Sequence, residues 1–245
     1  MKSRETIACP PDGIYQGVDA DTYFAWDACN ASRVRILALG GTPAHYKAAA
    51  DGEIEDEETD ARSFGRAVHS AVLTPSDFDL LAPLPAGIAR RTGKEYEALC
   101  QQFPNTKFFP PAEWAKVQAD IEDAQAVQRS IAAHPVAAAL LDGTQPETAI
   151  AWTDPEYGMR CKARLDACAL GDNARIVDLK TTRRNMVYQL ARQGYGYGYH
   201  IQAAMYADGL AQLTKADAPI PFWFLFVESI PPHLVVVANG LSAYD

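Results

Sequence analysis

The sequence predicts an α/β layer fold, with a mixed central β-sheet flanked by helices and an N-terminal helical cover. Three observations carry this. Apolar residues recur at helical spacing through most of residues 61–141, the spacing changes to a period of two past Gly143, and a helical stretch at 199–210 separates three strand patterns from two more. At 245 residues and 48% apolar composition, the chain buries a core as one domain. Within it we distinguish the cover (residues 1–60), a helical part (61–142) and the sheet with its helix (143–245).

In the cover, the turn signals "CPPDG" and "LGGTPAHY" bracket a helix expected from Tyr23 to Leu39. The run "EIEDEETD" (53–60) sets six acids in eight positions, which reads as a solvated loop or fraying helix start; a DNA-mimicking or inhibitory arm is the sharper alternative. "ARSFGRAVHSAVL" (61–73) spaces Phe64, Val68, Ala71 and Val72 as one helix face, and Pro75 follows its end. His69 lies off that stripe. Residues 75–112, rich in Pro, Gly and charge, form an excursion in which "ARRTGKEYEAL" starts a short helix with Arg90, Arg91 and Lys94 at its mouth. The Ala-rich stretch from Pro111 to Leu141 is a long helix that Pro135 breaks near "AHP".

Past Gly143, "ETAIAW" (147–152), "GMRCKARLDACAL" (158–170) and "ARIVDLKTT" (174–182) read as strands joined by the turns "TDPEYG" and "GDN". The helix in "YHIQAAMYADGL" (199–210) follows, then the strands "PFWFLFVES" and "HLVVVAN", separated by "IPP".

The balance of 22 Lys+Arg against 31 Asp+Glu, a net charge of −9, excludes coating of nucleic acid or anionic membrane by bulk attraction, though a local basic groove stays open. Five cysteines, at 9, 29, 100, 161 and 168, are scattered without a C-x-x-C pair, so neither a zinc ribbon nor a disulfide framework is indicated. No apolar run approaches the roughly 18 residues of a membrane span, and "MKSRETIACPPDG" lacks the apolar core of a signal peptide. The expectation is a soluble protein of the reducing cytoplasm.

The chemistry concentrates in "ARLDACALGDNARIVDLKTT" (163–182), where a strand rich in Ile176, Val177 and Leu179 also carries Asp178 and Lys180. Buried charges cost several kcal/mol unless paired or metal-bound. Strand alternation sets Met159, Cys161, Ala163, Leu165 and Ala167 on one face and Arg160, Lys162, Arg164 and Asp166 on the other, a basic track ending in a carboxylate. The short "LGDN" turn makes the two strands antiparallel neighbours, so Asp166 and Asp178 converge beside one ammonium group. A hard divalent cation such as Mg²⁺ or Mn²⁺ removes the repulsion of two carboxylates. Next to a lysine, such a cation suits phosphodiester hydrolysis. Alone, D-x-K is a weak motif that also describes a strand-end ion pair.

The arrangement of a glutamate in a strand, then "RLD", a turn, "VDLKTT" and a helix with Q-x-x-x-Y resembles the PD-(D/E)XK nuclease superfamily. Within it, the likeness is to the RecB-like branch and its RecE-type phage and prophage exonucleases (exonuclease VIII). "GTPAHYKAA", "SFGRAVHSAVLTP", "RRTGKEYEAL", "PETAIAW", "RCKARLDA", "IVDLKTT" and "IQAAMYADGL" resemble that family's blocks in order, across almost the whole chain. The resemblance implies a PD-(D/E)XK nuclease core in which His69, Asp166, Asp178 and the Leu179 carbonyl hold Mg²⁺, with Mn²⁺ able to substitute. It makes Lys180 the catalytic lysine and sets Glu147 beside the metal. Gln202 and Tyr206, at i and i+4 on one helix face, become contacts to the scissile region or the DNA backbone. Arg160, Lys162, Arg164, Arg183, Arg184, Arg90, Arg91 and Lys94 are the further candidates for backbone contacts.

The activity implied is exonucleolytic degradation of linear double-stranded DNA, 5′ to 3′, leaving 3′ single strands for recombination. Double-stranded ends, a ring of copies around the duplex and a RecT-type single-strand annealing partner come with the resemblance, and no membrane does. The chain departs from the family in ending at "NGLSAYD", where a further helix is expected to begin. The four clustered cysteines of iron–sulfur members are not present, so no cluster is expected. Two rivals stand beside this reading: a nuclease of the same fold acting on flaps, single strands or internal sites, and a catalytically idle DNA-binding relative.

Overall fold

Alternating apolar residues in the second half of the chain pair into one six-stranded sheet, and the helices of the first half supply one of its covers. The computed structural model describes residues 6–54, 59–88, 90–183 and 187–240. The chain runs through β1 (Ile7–Ala8), β2 (Gly13–Tyr15), α1 (Ala20–Ala25), β3 (Trp26–Asp27), α2 (Ala31–Ala38), α3 (Pro43–Ala50) and α4 (Asp60–Leu73). A 3-10 turn (Pro75–Leu80), β4 (Leu81–Pro83), α5 (Lys94–Gln102) and β5 (Lys107–Phe109) make the excursion. Then come α6 (Pro111–Ala133), α7 (Pro135–Leu141), β6 (Gln145–Thr153), β7 (Arg160–Ala169), β8 (Arg175–Thr182), α8 (Val187–Gly196), α9 (Tyr199–Thr214), β9 (Phe222–Glu228) and β10 (Val235–Asn239).

The sheet order is β10-β9-β8-β7-β6-β2, antiparallel at every step except β8 and β9, which run parallel because α8 and α9 carry the chain across between them. On one face, Val68 and Ala71 of α4, Ala124, Val127 and Ile131 of α6, and Ala137 of α7 pack against Val177, Leu179, Leu225 and Val227. On the other, Ala203, Ala207 and Leu210 of α9 pack against Ile150, Trp152, Ile176 and Phe222. Gly209 lets α9 sit directly on the Trp152 indole, since a Cβ there would lie 2.8 Å from ring carbons.

The predicted break in the long helix falls at His134: Pro135 cannot donate into α6, and His134 Nδ1 accepts the Ala137 N–H at 3.2 Å to start α7. The helix expected from Tyr23 to Leu39 is instead two helices with β3 between them. Asn30 caps the second by accepting the Arg33 N–H at 3.0 Å, and Cys29 pairs with β7 through Cys29 N–H to Arg160 O (2.9 Å) and Lys162 N–H to Cys29 O (2.8 Å). All five cysteines are free. Among the described residues no helix is long and apolar enough to cross a membrane. Of "EIEDEETD", positions 55–58 lie outside the described residues, as do Arg184 and the last five positions of the chain.

The basic track of β7 is largely engaged by other groups: the N-terminal cover buries Lys162, while Arg160 and Arg164 stay partly exposed. Lys162, 1% exposed, donates to the carbonyls of Tyr23 (2.9 Å), Phe24 (3.2 Å) and Trp26 (2.7 Å), and its ammonium lies 4.9 Å from the Tyr23 ring. These carbonyls lie at and just past the C-terminus of α1, where the helix dipole favours a cation; those of Tyr23 and Trp26 also accept the N–H groups of Trp26 and Ala28. Arg160 bonds the Asp12 carboxylate and the Pro10 carbonyl, and Arg164 pairs with Glu147 at 2.8 Å. Cover and sheet thereby take up the track, and Lys162 is out of reach of a DNA phosphate. Lys162→Met is expected to cost about 2 kcal/mol, roughly 4–8 °C in Tm, measured by thermal unfolding, while DNA affinity in a gel-shift titration stays at the wild-type value.

Candidate active site

Strands β7 and β8 part company where the acidic residues lie. Their ladder holds only Ala167↔Val177, Cys168↔Ile176 and Ala169↔Arg175, whereas β8 continues beside β9 through Thr182↔Glu228. Across β7, the register with β6 runs through Pro146↔Ala167 and Thr148↔Leu165 but skips Glu147 and Asp166. Glu147 has φ +50°, a left-handed conformation strained for a side chain with a Cβ. The face alternation expected of β7 holds to Leu165, which packs with Ile150 and Ile176; Ala167 then joins the opposite core with Val177. Asp166 sits at that switch, its carboxylate turned into the seam.

The backbone N–H and C=O of one strand residue point the same way, so both groups of Leu179 look across the opened seam and have lost their ladder partners. Asp166 Oδ2 accepts the Leu179 N–H at 2.8 Å. His69 Nε2 lies 2.9 Å from the Leu179 carbonyl oxygen, and its Nδ1 is 3.6 Å from Asp166 Oδ2. Helix α4 delivers His69 because Val68 and Ala71 anchor the helix in the core, leaving position 69 to face the seam. Thr59 starts that helix by accepting the Arg62 N–H at 3.3 Å.

Asp178 and Lys180 point to the opposite side, toward α9. Asp178 is 2% exposed; its Oδ1 accepts from Gln202 Nε2 at 2.6 Å, and its Oδ2 forms an ion pair with Lys180 Nζ. Burial pushes the Asp178 carboxyl up to about 6 against the pull of Lys180, and Asp166 adds to the rise. Lys180 is held above the ordinary lysine range: burial works against its charge, but Asp178 and Asp166 outweigh it. Its ammonium lies 5.0 Å from the Tyr199 ring and 6.0 Å from Phe224. Glu147, raised chiefly by burial and next by Asp166, completes the acidic group from β6.

The sequence-predicted residues therefore divide. Asp166, Leu179 and His69 meet in the seam, Asp178 and Lys180 pair on its α9 side, and Glu147 stands beside Asp166. Gln202 reaches Asp178 rather than solvent. Tyr206 is half-buried, its ring 6.3 Å from Phe222 at the rim of the core. Arg91 pairs with Glu113 at 3.1 Å, and Arg90 lines a separate cavity of about 370 Å³ at the mouth of α5 with Ile88, Thr92, Gly93, Lys94 and Glu95. Tyr199 was not anticipated; its place three residues before Gln202, on the same helix face, was the available signal.

Among the described residues, no three His, Cys, Asp or Glu side chains close into a metal-holding group, since Asp178 turns to Lys180 and Gln202. The donor set nevertheless fits a hard divalent cation. His69, Asp166 and the Leu179 carbonyl bring an imidazole nitrogen and two kinds of oxygen donor to one place, His69 bonding the Leu179 oxygen at 2.9 Å and Asp166 the Leu179 N–H at 2.8 Å. Asp178 Oδ2 is a buried anionic oxygen whose one partner among the described residues is the Lys180 ammonium.

A family model described as a PDDEXK-like domain of unknown function (DUF3799) matches residues 32–237. The crystal structure of a candidate exonuclease from Eubacterium rectale resembles the chain with a TM-score of 0.57 at 15% identity, over 94% of this chain and 81% of that one, which shows a common fold. No curated protein matches.

Because Asp178 holds its proton to about pH 6 in the fold and to about 3.8 when unfolded, its stabilising contribution is full below the unfolded value and is lost as pH rises through about 6. A cation needs the ionised form and reverses that loss. The rise in Tm produced by Mn²⁺ is accordingly expected to be large at pH 7.5 and to shrink below pH 6, read by differential scanning fluorimetry at several pH values.

Proposed function

The chain belongs to the PDDEXK-like domain family, and from that premise we propose that it is a divalent-metal-dependent exodeoxyribonuclease acting on linear double-stranded DNA. The observation that carries the reading is the buried Asp178–Lys180 pair standing at the fork with Asp166, His69 and the Leu179 carbonyl. A buried ion pair of this kind is a poor way to stabilise a sheet, whereas a nuclease requires it.

Asp166, Asp178, His69 and the Leu179 carbonyl would hold the cation, Mg²⁺ or Mn²⁺. When bound, it supplies Lewis acidity at a phosphate oxygen and lowers the pKa of a water. The chain's own groups do the rest. Lys180 stays charged because two carboxylates outweigh its burial, and its ammonium donates to the attacking water or to charge developing on the phosphate. Gln202 fixes the Asp178 carboxylate and so the lysine paired with it. Glu147, paired with Arg164, would stand beside the cation and bind it directly or through a water.

The likeness to the Eubacterium rectale candidate exonuclease and the RecE-type blocks support an end-directed substrate. The same proposal includes 5′ to 3′ polarity, 3′ single-stranded products for recombination, a ring of copies around the duplex and a RecT-type annealing partner; these rest on the resemblance. With a net charge of −9, contact to DNA is local to the site and to exposed groups such as Arg90 and Arg183.

Cleavage of a 5′-end-labelled linear duplex beside a covalently closed circle tests the reading. Release of label from linear DNA alone, abolished by EDTA and lowered by about 10²–10⁴-fold in Lys180→Ala, is the expected result. Cutting of the closed circle would replace the exonuclease with an internal-site nuclease, and binding of metal and DNA without cleavage would make the chain an idle relative.

A further inference from the structure

The sequence "GYGYGYH" (194–200) alternates glycine and tyrosine across the end of α8 and the start of α9. Two of its rings, Tyr197 and Tyr199, lead from solvent to the candidate catalytic lysine, and the third, Tyr195, stands on the neighbouring His200. Tyr199 faces the Lys180 ammonium at 5.0 Å, Tyr197 lies 5.7 Å from Tyr199, and Tyr195 stacks on His200 with centroids 5.1 Å apart and planes 9° apart. Tyr199 is anchored in the core, 5.6 Å from Phe224 and 6.2 Å from Phe226. The outer two are not: Tyr195 is 74% exposed and Tyr197 56%.

Exposed tyrosines gain little from apolar burial, so folding does not account for two of them held in place. They are nonetheless held. Arg35 of α2 donates from a guanidinium nitrogen to the Tyr197 carbonyl at 3.0 Å, and its side chain fills the space a Cβ at Gly198 would take, 2.9 Å from Arg35 Cδ. Gly198 has φ +65°, a left-handed turn natural to glycine, which lets α9 restart at Tyr199 directly after the exposed ring. Two exposed π-faces thus stand at the corner between α8 and α9, Tyr197 with its backbone bonded by Arg35 and its ring linked through Tyr199 to Lys180, and Tyr195 stacked on His200.

We propose that Tyr195 and Tyr197 are a stacking platform for unpaired bases of the DNA strand that leads to the candidate catalytic site, an inference that rests on the nuclease reading. Base–aromatic stacking beside a basic path is how proteins hold single strands without reading sequence. One ring contact and one cation–ring contact separate Tyr197 from Lys180, so Tyr197 lies within about three stacked-nucleotide steps of the ammonium. The strand it holds is one whose end bases have left the duplex, so the platform favours frayed or single-stranded termini over blunt ones.

The test is fluorescence-anisotropy binding of a labelled oligothymidylate to the full chain in EDTA, for wild type, the double variant Tyr195→Ala/Tyr197→Ala and the double variant Tyr195→Phe/Tyr197→Phe. The alanine variant is expected to bind about 10–100-fold more weakly, and the phenylalanine variant, which keeps both π-faces, close to wild type. Hydrolysis of bis(p-nitrophenyl) phosphate by wild type with Mn²⁺, lost in Lys180→Ala, checks the catalytic reading separately. If wild type hydrolyses the ester and the alanine variant binds the oligonucleotide as tightly as wild type, the platform is overturned alone. Tyrosine-dependent binding with neither the ester nor linear DNA hydrolysed overturns the nuclease reading and, with it, the platform's place on the path to a catalytic site, leaving only a single-strand contact. Sedimentation velocity gives the remaining outcome: an oligomer that the alanine variant dissociates, with oligonucleotide binding unchanged, assigns the tyrosines to an interface between copies and overturns the proposal.

Discussion

The main chain of Leu179 is the constraint on which the site depends. Its N–H and C=O both point across a seam that β7 has left, and each would cost about 1–3 kcal/mol unpaired. Asp166 satisfies the first and His69 stands at the second. A side chain from the neighbouring strand and one from a helix thus do what a ladder does elsewhere in the sheet. The consequence is chemical: satisfying the fork brings a carboxylate, an imidazole and a carbonyl to one place.

The other side of β8 answers a different electrostatic demand. Asp178 lies in an apolar sheet between Phe224 and α9 and keeps a proton more readily than an exposed aspartate. Lys180 and Gln202 reduce that penalty, and Tyr199 and Phe224 set π-faces near the ammonium. None of these groups improves the core over a Leu or Val at the same positions. Such local conflicts are expected where function sets the residue.

Much of this was legible in the sequence because it is local. The change of period at Gly143, the break at Pro135 and the tight turn between "RLDA" and "VDLK" are properties of neighbouring residues, and they placed Asp166 near Asp178. His69 was visible as a polar residue beside an apolar stripe. What could not be read came from distant contacts. The segment from Tyr23 to Leu39 has helical spacing throughout, yet Lys162, more than a hundred positions away, binds carbonyls of Tyr23, Phe24 and Trp26 and ends the first helix there. Alternation correctly grouped Arg160, Lys162 and Arg164 on one face, but nothing local says which layer will cover a face. The switch at Asp166 escaped period-two reasoning because it depends on Glu147 adopting a left-handed backbone on the next strand.

In the proposed site the Asp166 carboxylate has two separable roles, an acceptor that holds the Leu179 N–H and an anion that would hold a cation. Mn²⁺ titration by isothermal calorimetry, comparing wild type with Asp166→Asn, tests it most directly, since the amide oxygen keeps the acceptor and removes the charge. The variant is expected to melt where wild type melts and to bind Mn²⁺ on the order of 100-fold more weakly. Unchanged Mn²⁺ affinity in the asparagine variant would contradict it.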